Sequence, residues 1–256
     1  MRILVTNDDG IGAPGIAALA RFAVRIGEVT VIAPRSEQSG KSHSIDLVSP
    51  FEIKKVPFPA VPEVFEAYSV ASTPADCVRY GVLALGGKFD LVLSGINRGF
   101  NLGVDIVYSG TVGAAFEAAY FGIRSLALST DWLAFGDSTR EPVSLATLER
   151  IWDYVTANDL FAHDSIYNIN IPMEPGAILP THQGGPYYRD VFNDLGDGTF
   201  KPHGVCVFKN GHDLEVDADA VTDGYISVTP LTIDRTDRKT LDLLRSAGKY
   251  NITRGC

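Results

Sequence analysis

Short apolar runs alternate with longer amphipathic windows through the first half of the chain. Residues 3–6, 29–33 and 89–93 are strand-length runs rich in Val, Ile and Leu, and residues 14–26 and 74–85 have the spacing of helices. Strands that alternate with helices form a parallel sheet covered by helices. The sequence therefore predicts an α/β fold in which the residues after each strand meet at one edge of the sheet.

The alternation continues and then gives way to turn-forming residues. Further predicted elements are an edge strand at 51–56, a helix at 110–121, a strand at 125–130, a helix at 142–157 and a strand at 166–171. Pro and Gly then punctuate the chain as far as about residue 223. We expect one domain with a core of about residues 1–174 plus 224–235, an arm of about 175–223 and a C-terminal helix of about 236–247.

The charge balance and the hydrophobic pattern exclude several classes of protein. Acidic residues outnumber basic ones by 31 to 22, a net charge of −9, whereas stable binding of DNA or RNA depends on Lys and Arg. No stretch approaches the roughly 18 consecutive apolar residues of a membrane span, and the amino terminus lacks a signal peptide's cleavage region. We expect a cytoplasmic protein with neither polymeric nucleic acid nor a membrane as its partner.

The cysteines do not indicate a disulfide framework. Cys77, Cys206 and Cys256 lie far apart in the sequence, and none belongs to a C-x-x-C pair. We expect three free thiols without a metal.

Two glycine motifs suggest other nucleotide chemistries. Residues 10–15 match G-x-G-x-x-G between a predicted strand and a helix, and Arg35 follows the second strand, so an NADP-dependent Rossmann enzyme is an alternative. Against it, Asp8 and Asp9 put negative charge where a pyrophosphate needs N–H groups. Residues 40–42, Gly-Lys-Ser, resemble the end of a phosphate-binding loop, but Arg35 stands where that motif has its first glycine.

The strongest chemical signal is the pair of carboxylates after the first strand. Asp8 and Asp9 are adjacent, and two neighbouring carboxylates repel each other unless a cation or protons neutralise them. Ser39 follows the second strand and Asn97 follows the strand at 89–93. Carboxylate, hydroxyl and amide oxygens suit Mg²⁺, Mn²⁺ or Ca²⁺ better than Zn²⁺. We expect Asp8, Asp9, Ser39 and Asn97 to hold one divalent cation.

A glycine- and hydroxyl-rich loop at 101–111 leads into the helix predicted after it. Exposed N–H groups at a helix start attract anions, and the hydroxyls of Ser109 and Thr111 lie beside them in sequence. We expect Asn101, Ser109, Gly110 and Thr111 to bind a phosphate. A cation on one side and a helix start on the other would hold a phosphoryl group between them.

Five sequence blocks together resemble the SurE family of stationary-phase survival proteins. They are V-T-N-D-D-G at 5–10, A-P-R-S-E-Q-S-G at 33–40, S-G-I-N-R-G-F-N-L-G at 94–103, Y-S-G-T-V-G-A-A at 108–115 and G-Y-I-S-V-T-P-L at 224–231. The blocks follow that family's order and span nearly the whole chain. Residues 181–217 depart from the family pattern.

The resemblance implies a metal-dependent phosphatase that removes phosphate from nucleoside 5′- or 3′-monophosphates. It also implies a Rossmann-like, three-layer core with an arm that exchanges between subunits of a homodimer or homotetramer. Asp8, Asp9, Ser39 and Asn97 match the family's metal ligands, and the cation would be Mg²⁺ or Mn²⁺, one for each subunit.

The residues leave more than one mechanism open. A metal-activated water could attack the phosphate, with Asp8 or Asp9 as its base, or one of these carboxylates could attack and form an aspartyl-phosphate. His43 and Asp105 are the candidate acids for the leaving group. A nucleotide-binding module that senses a ligand without turnover is the alternative outside catalysis.

Overall fold

A nine-stranded, mostly parallel sheet forms the centre of the molecule in this computed structural model, which describes residues 1–136, 141–163 and 166–246. The strands of the chain are β1 (Arg2–Thr6), β2 (Glu28–Pro34), β3 (Ile53–Lys55), β4 (Glu66–Val70), β5 (Leu91–Arg98), β6 (Arg124–Thr130), β7 (Ile166–Ile171), β8 (Ile178–Pro180), β9 (Tyr188–Asp194), β10 (Phe200–Cys206) and β11 (Ile226–Leu231). The sheet has the order β3-β4-β2-β1-β5-β6-β7-β11-β8, with antiparallel pairs at β3/β4 and β7/β11. The predicted α/β class is confirmed.

Helices cover both faces of this sheet, which gives three layers. The α-helices of the described residues are α1 (Pro14–Ala23), α2 (Pro74–Arg79), α3 (Gly110–Tyr120), α4 (Leu145–Ala157), α5 (Asp217–Thr222) and α6 (Arg238–Ser246). α1 and α4 share one face, where the rings of Phe22 and Trp152 meet edge to face at 6.4 Å. α2 and α3 cover the other face, where Cys77 and Ala114 pack with Leu4 of β1.

The central strand β1 explains how the sequence fixes this arrangement. Ile3, Leu4 and Val5 are all fully buried, as expected for a strand with helices on both sides. Ile3 and Val5 belong to the large apolar cluster that includes α1, whereas Leu4 packs toward α2 and α3. Both faces of β1 are apolar. The polar residues that follow Thr6 come after the strand has ended and lie at the carboxyl edge of the sheet.

Several predicted element boundaries need correction. β5 runs through Ser94 and Gly95 to Arg98 instead of ending at Leu93, because a register shift between Ser94 and Asn97 lets pairing with β6 resume at Asn97. α1 ends at Ala23, three residues earlier than predicted, and turns complete the segment to Gly27. α4 begins at Leu145 because the side chain of Ser144 caps its first turn.

The segment predicted as an arm contains three different structures. β8 joins the main sheet beside β11, and α5 is buried through Ala218 and Val221. β9 and β10 instead form an antiparallel hairpin whose residues are all exposed. The projecting part of this segment is therefore the hairpin alone.

The remaining predictions concern the C-terminal helix, the cysteines and the membrane. α6 covers most of the predicted helix, and Ala247 lies outside the described residues, as does Cys256. Cys77 and Cys206 are free thiols, one buried and one exposed. Within the three described ranges, every helix is too short or too polar to cross a bilayer.

Candidate functional site

The strands that follow β1 in the sequence are added first on one side of it and later on its other side. This change of side creates a crevice at the carboxyl edge of the sheet. β2 lies on one side of β1 and β5 on the other, both parallel to it. Ligands of open α/β sheets bind at such a point. Asp8 and Asp9 follow β1 directly into this crevice.

Asp8 is almost completely buried against the first turn of α3. Its Oδ1 accepts a hydrogen bond of 2.5 Å from the Thr111 hydroxyl, and its carboxylate also accepts one from the Thr111 backbone N–H. Its own carbonyl accepts a bond of 2.7 Å from the Gln38 N–H. Gly110 permits this approach, since a Cβ there would lie 3.0 Å from the Asp8 Cβ. Asp8 thus joins the end of β1 to the start of α3 through its carboxylate and to the loop after β2 through its backbone carbonyl.

Asp9 lies beside Asp8 and is held by the end of β5. Its Oδ2 accepts a hydrogen bond of 3.1 Å from the Arg98 backbone N–H. Burial and the neighbouring Asp8 charge raise the pKa of Asp9 from 3.8 to about 6. Burial also raises the pKa of Asp8, although the bonds from Thr111 oppose the rise. The two groups are therefore held in a site that disfavours their negative charges and favours a cation.

Glu37 is a third carboxylate near the pair, and the sequence reasoning did not assign it a role. Its negative charge raises the pKa of both Asp8 and Asp9. It also accepts a hydrogen bond of 2.7 Å from the Ser39 hydroxyl. The signal was present in the sequence, because Glu37 stands in the same loop as Ser39, two residues before it.

Asn97 and Ser39, the two predicted neutral ligands, lie in different settings. The Asn97 Nδ2 donates to the Gly99 carbonyl at 2.8 Å, which fixes the amide and leaves Oδ1 as an acceptor. Ser39 is exposed, and its hydroxyl bonds Glu37 rather than Asp8 or Asp9. In the described part of the chain, no three His, Cys, Asp or Glu side chains group as metal ligands. The donor set here is two carboxylates with neutral oxygens, which suits a hard cation.

The residues predicted to bind phosphate separate into two groups. Ser109 caps α3, since its Oγ accepts from the Val112 N–H at 3.1 Å, and Gly110 and Thr111 lie against Asp8. Asn101 instead belongs to a polar cluster with β6 and β7: its N–H donates to Asn170 Oδ1 and its Nδ2 donates to Ser129 Oγ. The structure therefore brings Gly110 and Thr111 to Asp8, places Ser109 next to them as the cap of α3, and places Asn101 in a different cluster.

The two candidate acids both have partners in the protein. His43 Nε2 lies 2.6 Å from Oε2 of the buried Glu117, which also pairs with Arg79 at 3.2 Å. Asp105 accepts the N–H groups of Tyr187 and Tyr188, at 2.9 and 2.8 Å, where the chain enters the exposed hairpin. His43 thus anchors the loop after β2 to α3, and Asp105 anchors the base of the hairpin.

The G-x-G-x-x-G motif has a packing role in this fold. A Cβ on Gly15 would lie 2.0 Å from the Ile96 carbonyl oxygen, so the third glycine lets α1 lie against β5. Gly10 has a φ of +103°, which the turn after Asp9 requires. Arg35 pairs with Glu52 at 3.3 Å and does not stand as a free phosphate ligand. These contacts weigh against the dinucleotide interpretation.

Comparisons with known proteins identify relatives of this chain. The sequence model of the family described as "Survival protein SurE" matches residues 3–190. The 5'-nucleotidase SurE of Thermosipho melanesiensis is 39% identical over 252 residues, which cover 95% of this chain and 96% of that protein. The 5'-nucleotidase SurE of Clostridium beijerinckii is 36% identical over 247 residues, 93% of this chain and 95% of that protein.

A solved structure extends the similarity to the fold. The crystal structure of the SurE protein from Aquifex aeolicus matches with a TM-score of 0.75 and 34% identity, over 97% of this chain and 100% of that one. The family match covers more than half of the chain, and the relatives match over almost its whole length. On these grounds the chain belongs to the SurE family.

Proposed function

We propose that this protein is a divalent-cation-dependent phosphomonoesterase that hydrolyses nucleoside 5′- or 3′-monophosphates to nucleoside and phosphate. The observation that carries the proposal is the pair of Asp8 and Asp9, one buried against Thr111 and both with a raised pKa. The relatives named 5'-nucleotidase support the class of reaction.

The residues at the end of β1 fit one Mg²⁺ or Mn²⁺ ion for each subunit. Asp8, Asp9, Asn97 Oδ1 and the Ser39 hydroxyl are hard oxygen donors. A cation would also offset the burial and the repulsion from Asp8 that together raise the pKa of Asp9. When bound, such an ion polarises phosphate oxygens and makes water more acidic.

The start of α3 is the proposed place for the phosphate. The Ser109 hydroxyl accepts from Val112, so its hydrogen remains available to a phosphate oxygen. The Gly110 N–H begins the helix and has no partner within it. Asn101 is a less direct ligand, because its amide is bonded to Ser129, and it would steer the loop that carries Ser109.

Direct attack by water is the mechanism that the Asp8 contacts favour. The hydroxyl and the N–H of Thr111 both donate to the Asp8 carboxylate. These bonds hold Asp8 in place as a ligand, so it is not a free nucleophile. Asp9 has one bond from Arg98 and is the better base. Water would bond to phosphorus and give a proton to Asp9 while the ester P–O bond breaks. The departing nucleoside oxygen would take up a proton from solvent, to which Asp9 would later return its own.

Two experiments test this mechanism and its rivals. Acid-quenched turnover of ³²P-labelled nucleotide should leave no label on the protein, whereas label on Asp8 or Asp9 would establish an aspartyl-phosphate. Released phosphate should be measured for 5′-AMP, 3′-AMP, other nucleoside monophosphates and p-nitrophenyl phosphate. Nucleotide binding without phosphate release would favour a nucleotide-sensing module. Hydride transfer with NADPH would instead favour an NADP-dependent Rossmann enzyme.

We also propose that the protein assembles as a homodimer or homotetramer through the exposed hairpin. Tyr188, Phe192, Leu195 and Phe200 are each more than half exposed on β9, β10 and their turn. An isolated two-stranded ribbon is marginally stable, so a partner subunit would supply its missing packing. Sedimentation at micromolar concentration should show a species larger than 27.6 kDa.

The remaining expectations follow from the same account. We propose one domain, with the core of about 1–174 plus 224–235, that acts in the cytoplasm on a small nucleotide. With a charge of −9 it would hold no stable complex with polymeric nucleic acid. Unchanged migration of DNA and RNA oligomers at physiological salt would agree with this.

A further inference from the structure

An open cleft of about 480 Å³ lies beside the carboxylate site, between the loop after β2 and the turn from β4 to α2. Its walls include Gln38, Lys41, Leu47, Val48, Ala71 and Thr73. None of these residues belongs to the proposed cation or phosphate ligands. Clefts of roughly 300 to 1,000 Å³ accommodate small organic ligands.

The cleft adjoins Asp8 on two sides. Gln38, on one wall, donates its N–H to the Asp8 carbonyl at 2.7 Å. Thr73, on the other, is followed by Pro74, whose Cγ lies 3.2 Å from the position of a Cβ on Gly110. That same position is 3.0 Å from the Asp8 Cβ. A ligand whose phosphate lies at Asp8 can therefore extend into the cleft.

Several polar groups of the cleft walls already have partners. Asp76 accepts from the Ser72 hydroxyl at 2.5 Å and from the Thr73 hydroxyl at 3.2 Å. Asp46 accepts from the N–H groups of Val48 and Ser49. These bonds help to hold the Ser72, Thr73 and Asp46 segments of the two walls in place.

Lys41 brings a positive charge to the lining of the cleft. No described carboxylate pairs with its ammonium, in contrast to Lys54 and Lys55, which pair with Glu52 and Glu66. Leu47 and Val48 are 78% and 93% exposed and add apolar surface to the same loop. The cleft thus combines a hydrogen-bond donor with apolar surface, which suits a flat ring whose edge carries acceptors.

We propose that this cleft binds the nucleoside part of the substrate, with the base against Leu47 and Val48 and with Lys41 donating to an oxygen or ring nitrogen of the nucleoside. This inference rests on the proposed function for the identity of the ligand. It also gives the Gly-Lys-Ser segment at 40–42 a role other than that of a phosphate-binding loop, since Lys41 lines the cleft for the nucleoside.

Two substitutions test the cleft in different ways. Lys41→Met removes the donor from an exposed loop, and Ala71→Leu fills part of the volume. Lys88→Met and Ala84→Leu are matched controls, since both residues are exposed outside the cleft. Affinity for adenosine and guanosine is measured by calorimetry, and kcat/KM is compared between 5′-nucleotides and p-nitrophenyl phosphate, which lacks a nucleoside.

We expect each cleft variant to lower nucleoside affinity, and the ratio of nucleotide to p-nitrophenyl phosphate kcat/KM, by about tenfold or more. The controls should leave both quantities within about twofold of the wild type. Failure of the wild type to bind nucleosides, or cleft variants that behave like the controls, would overturn the inference. If Ala71→Leu does not fold, Lys41→Met decides alone.

The same data separate this inference from the proposed function. Nucleoside binding that the cleft variants weaken, without phosphate release from any substrate, would support the cleft and contradict the phosphatase. Phosphate release with equal losses for nucleotides and p-nitrophenyl phosphate would support the phosphatase and contradict the cleft.

Discussion

The Thr111 hydroxyl donates a hydrogen bond of 2.5 Å to Oδ1 of Asp8, so the first turn of α3 holds the carboxylate that follows β1. The two residues are 103 positions apart in sequence. The bond fixes Asp8 at the positive end of a helix, which favours the charged form that burial opposes. In this account Thr111 acts on the phosphate only through Asp8 and its cation.

Loss of this bond should weaken cation binding. In Thr111→Val the Asp8 carboxylate loses a donor but keeps its surroundings, and we expect the Mn²⁺ concentration for half-maximal activity to rise by about 10- to 100-fold. Thr111→Ser retains the hydroxyl and should stay near the wild type. An unchanged requirement for Mn²⁺ in Thr111→Val would contradict the assignment of Asp8 as a ligand.

The stability of the metal-free protein should fall as the pH rises from about 4 to about 6. The pKa of Asp9 is about 6 in the folded chain and 3.8 ordinarily, so the folded state retains a proton that the unfolded state has lost. This difference corresponds to at most about 3 kcal/mol of unfolding free energy, lost as the pH increases. Asp8 acts in the same direction.

Urea unfolding in EDTA between pH 4 and pH 8 measures this effect. Asp9→Asn should reduce the decline and be more stable than the wild type at pH 7, while having little or no activity. Added Mn²⁺ should restore stability to the wild type but not to Asp9→Asn. A wild type that gains stability relative to Asp9→Asn between pH 4 and pH 7 without metal would contradict the raised pKa.

Substitutions at two glycines of the G-x-G-x-x-G motif should differ in their effect on stability, because only one of these glycines is closely packed. Gly15→Ala places a methyl group against the Ile96 carbonyl, at 2.0 Å before any relaxation, and should cost more than about 2 kcal/mol of unfolding free energy. Gly12 has open space around it, so Gly12→Ala should change stability by less than about 0.5 kcal/mol. Equal losses of unfolding free energy in Gly15→Ala and Gly12→Ala, measured by chemical denaturation, would contradict the packing role of Gly15.

Arg98 should contribute charge to phosphate binding. Its backbone N–H bonds Asp9, and its guanidinium is close enough to lower the pKa of that residue, yet no described carboxylate forms an ion pair with it. Arg98→Ala keeps the backbone bond and should lower kcat/KM by about tenfold, with a smaller loss at high salt. Arg25→Ala, which breaks a surface pair with Glu149, is the control. Equal kcat/KM in the two variants would exclude this role.

The sequence could predict the β1 site because local rules agree there. An apolar run buried on both faces, two carboxylates directly after it and a glycine turn specify a strand end with a charged loop. The order of strands places β2 and β5 beside β1, so the end of β5 and the loop after β2 reach the same edge, where the Arg98 N–H bonds Asp9 and the Gln38 N–H bonds the Asp8 carbonyl. The α/β class follows from the same alternation.

Tertiary contacts decided what the sequence could not predict. Asn101 lies next to the predicted phosphate loop, but its partners Ser129 and Asn170 come from strands far along the chain. The role of His43 depends on its contact with Glu117, a buried residue of the Ala-rich helix α3. β5 passes through Ser94 and Gly95 because β6 supplies its pairing, which local turn propensity does not report.

The most direct test of the account is the initial rate of phosphate release from 5′-AMP as Mn²⁺ is titrated into metal-free protein. We predict a saturable increase in the wild type, its reversal by EDTA and a loss of at least about 100-fold in Asp8→Asn at all Mn²⁺ concentrations. A rate in the wild type that does not respond to Mn²⁺ or Mg²⁺, or an Asp8→Asn rate equal to it, would contradict the account.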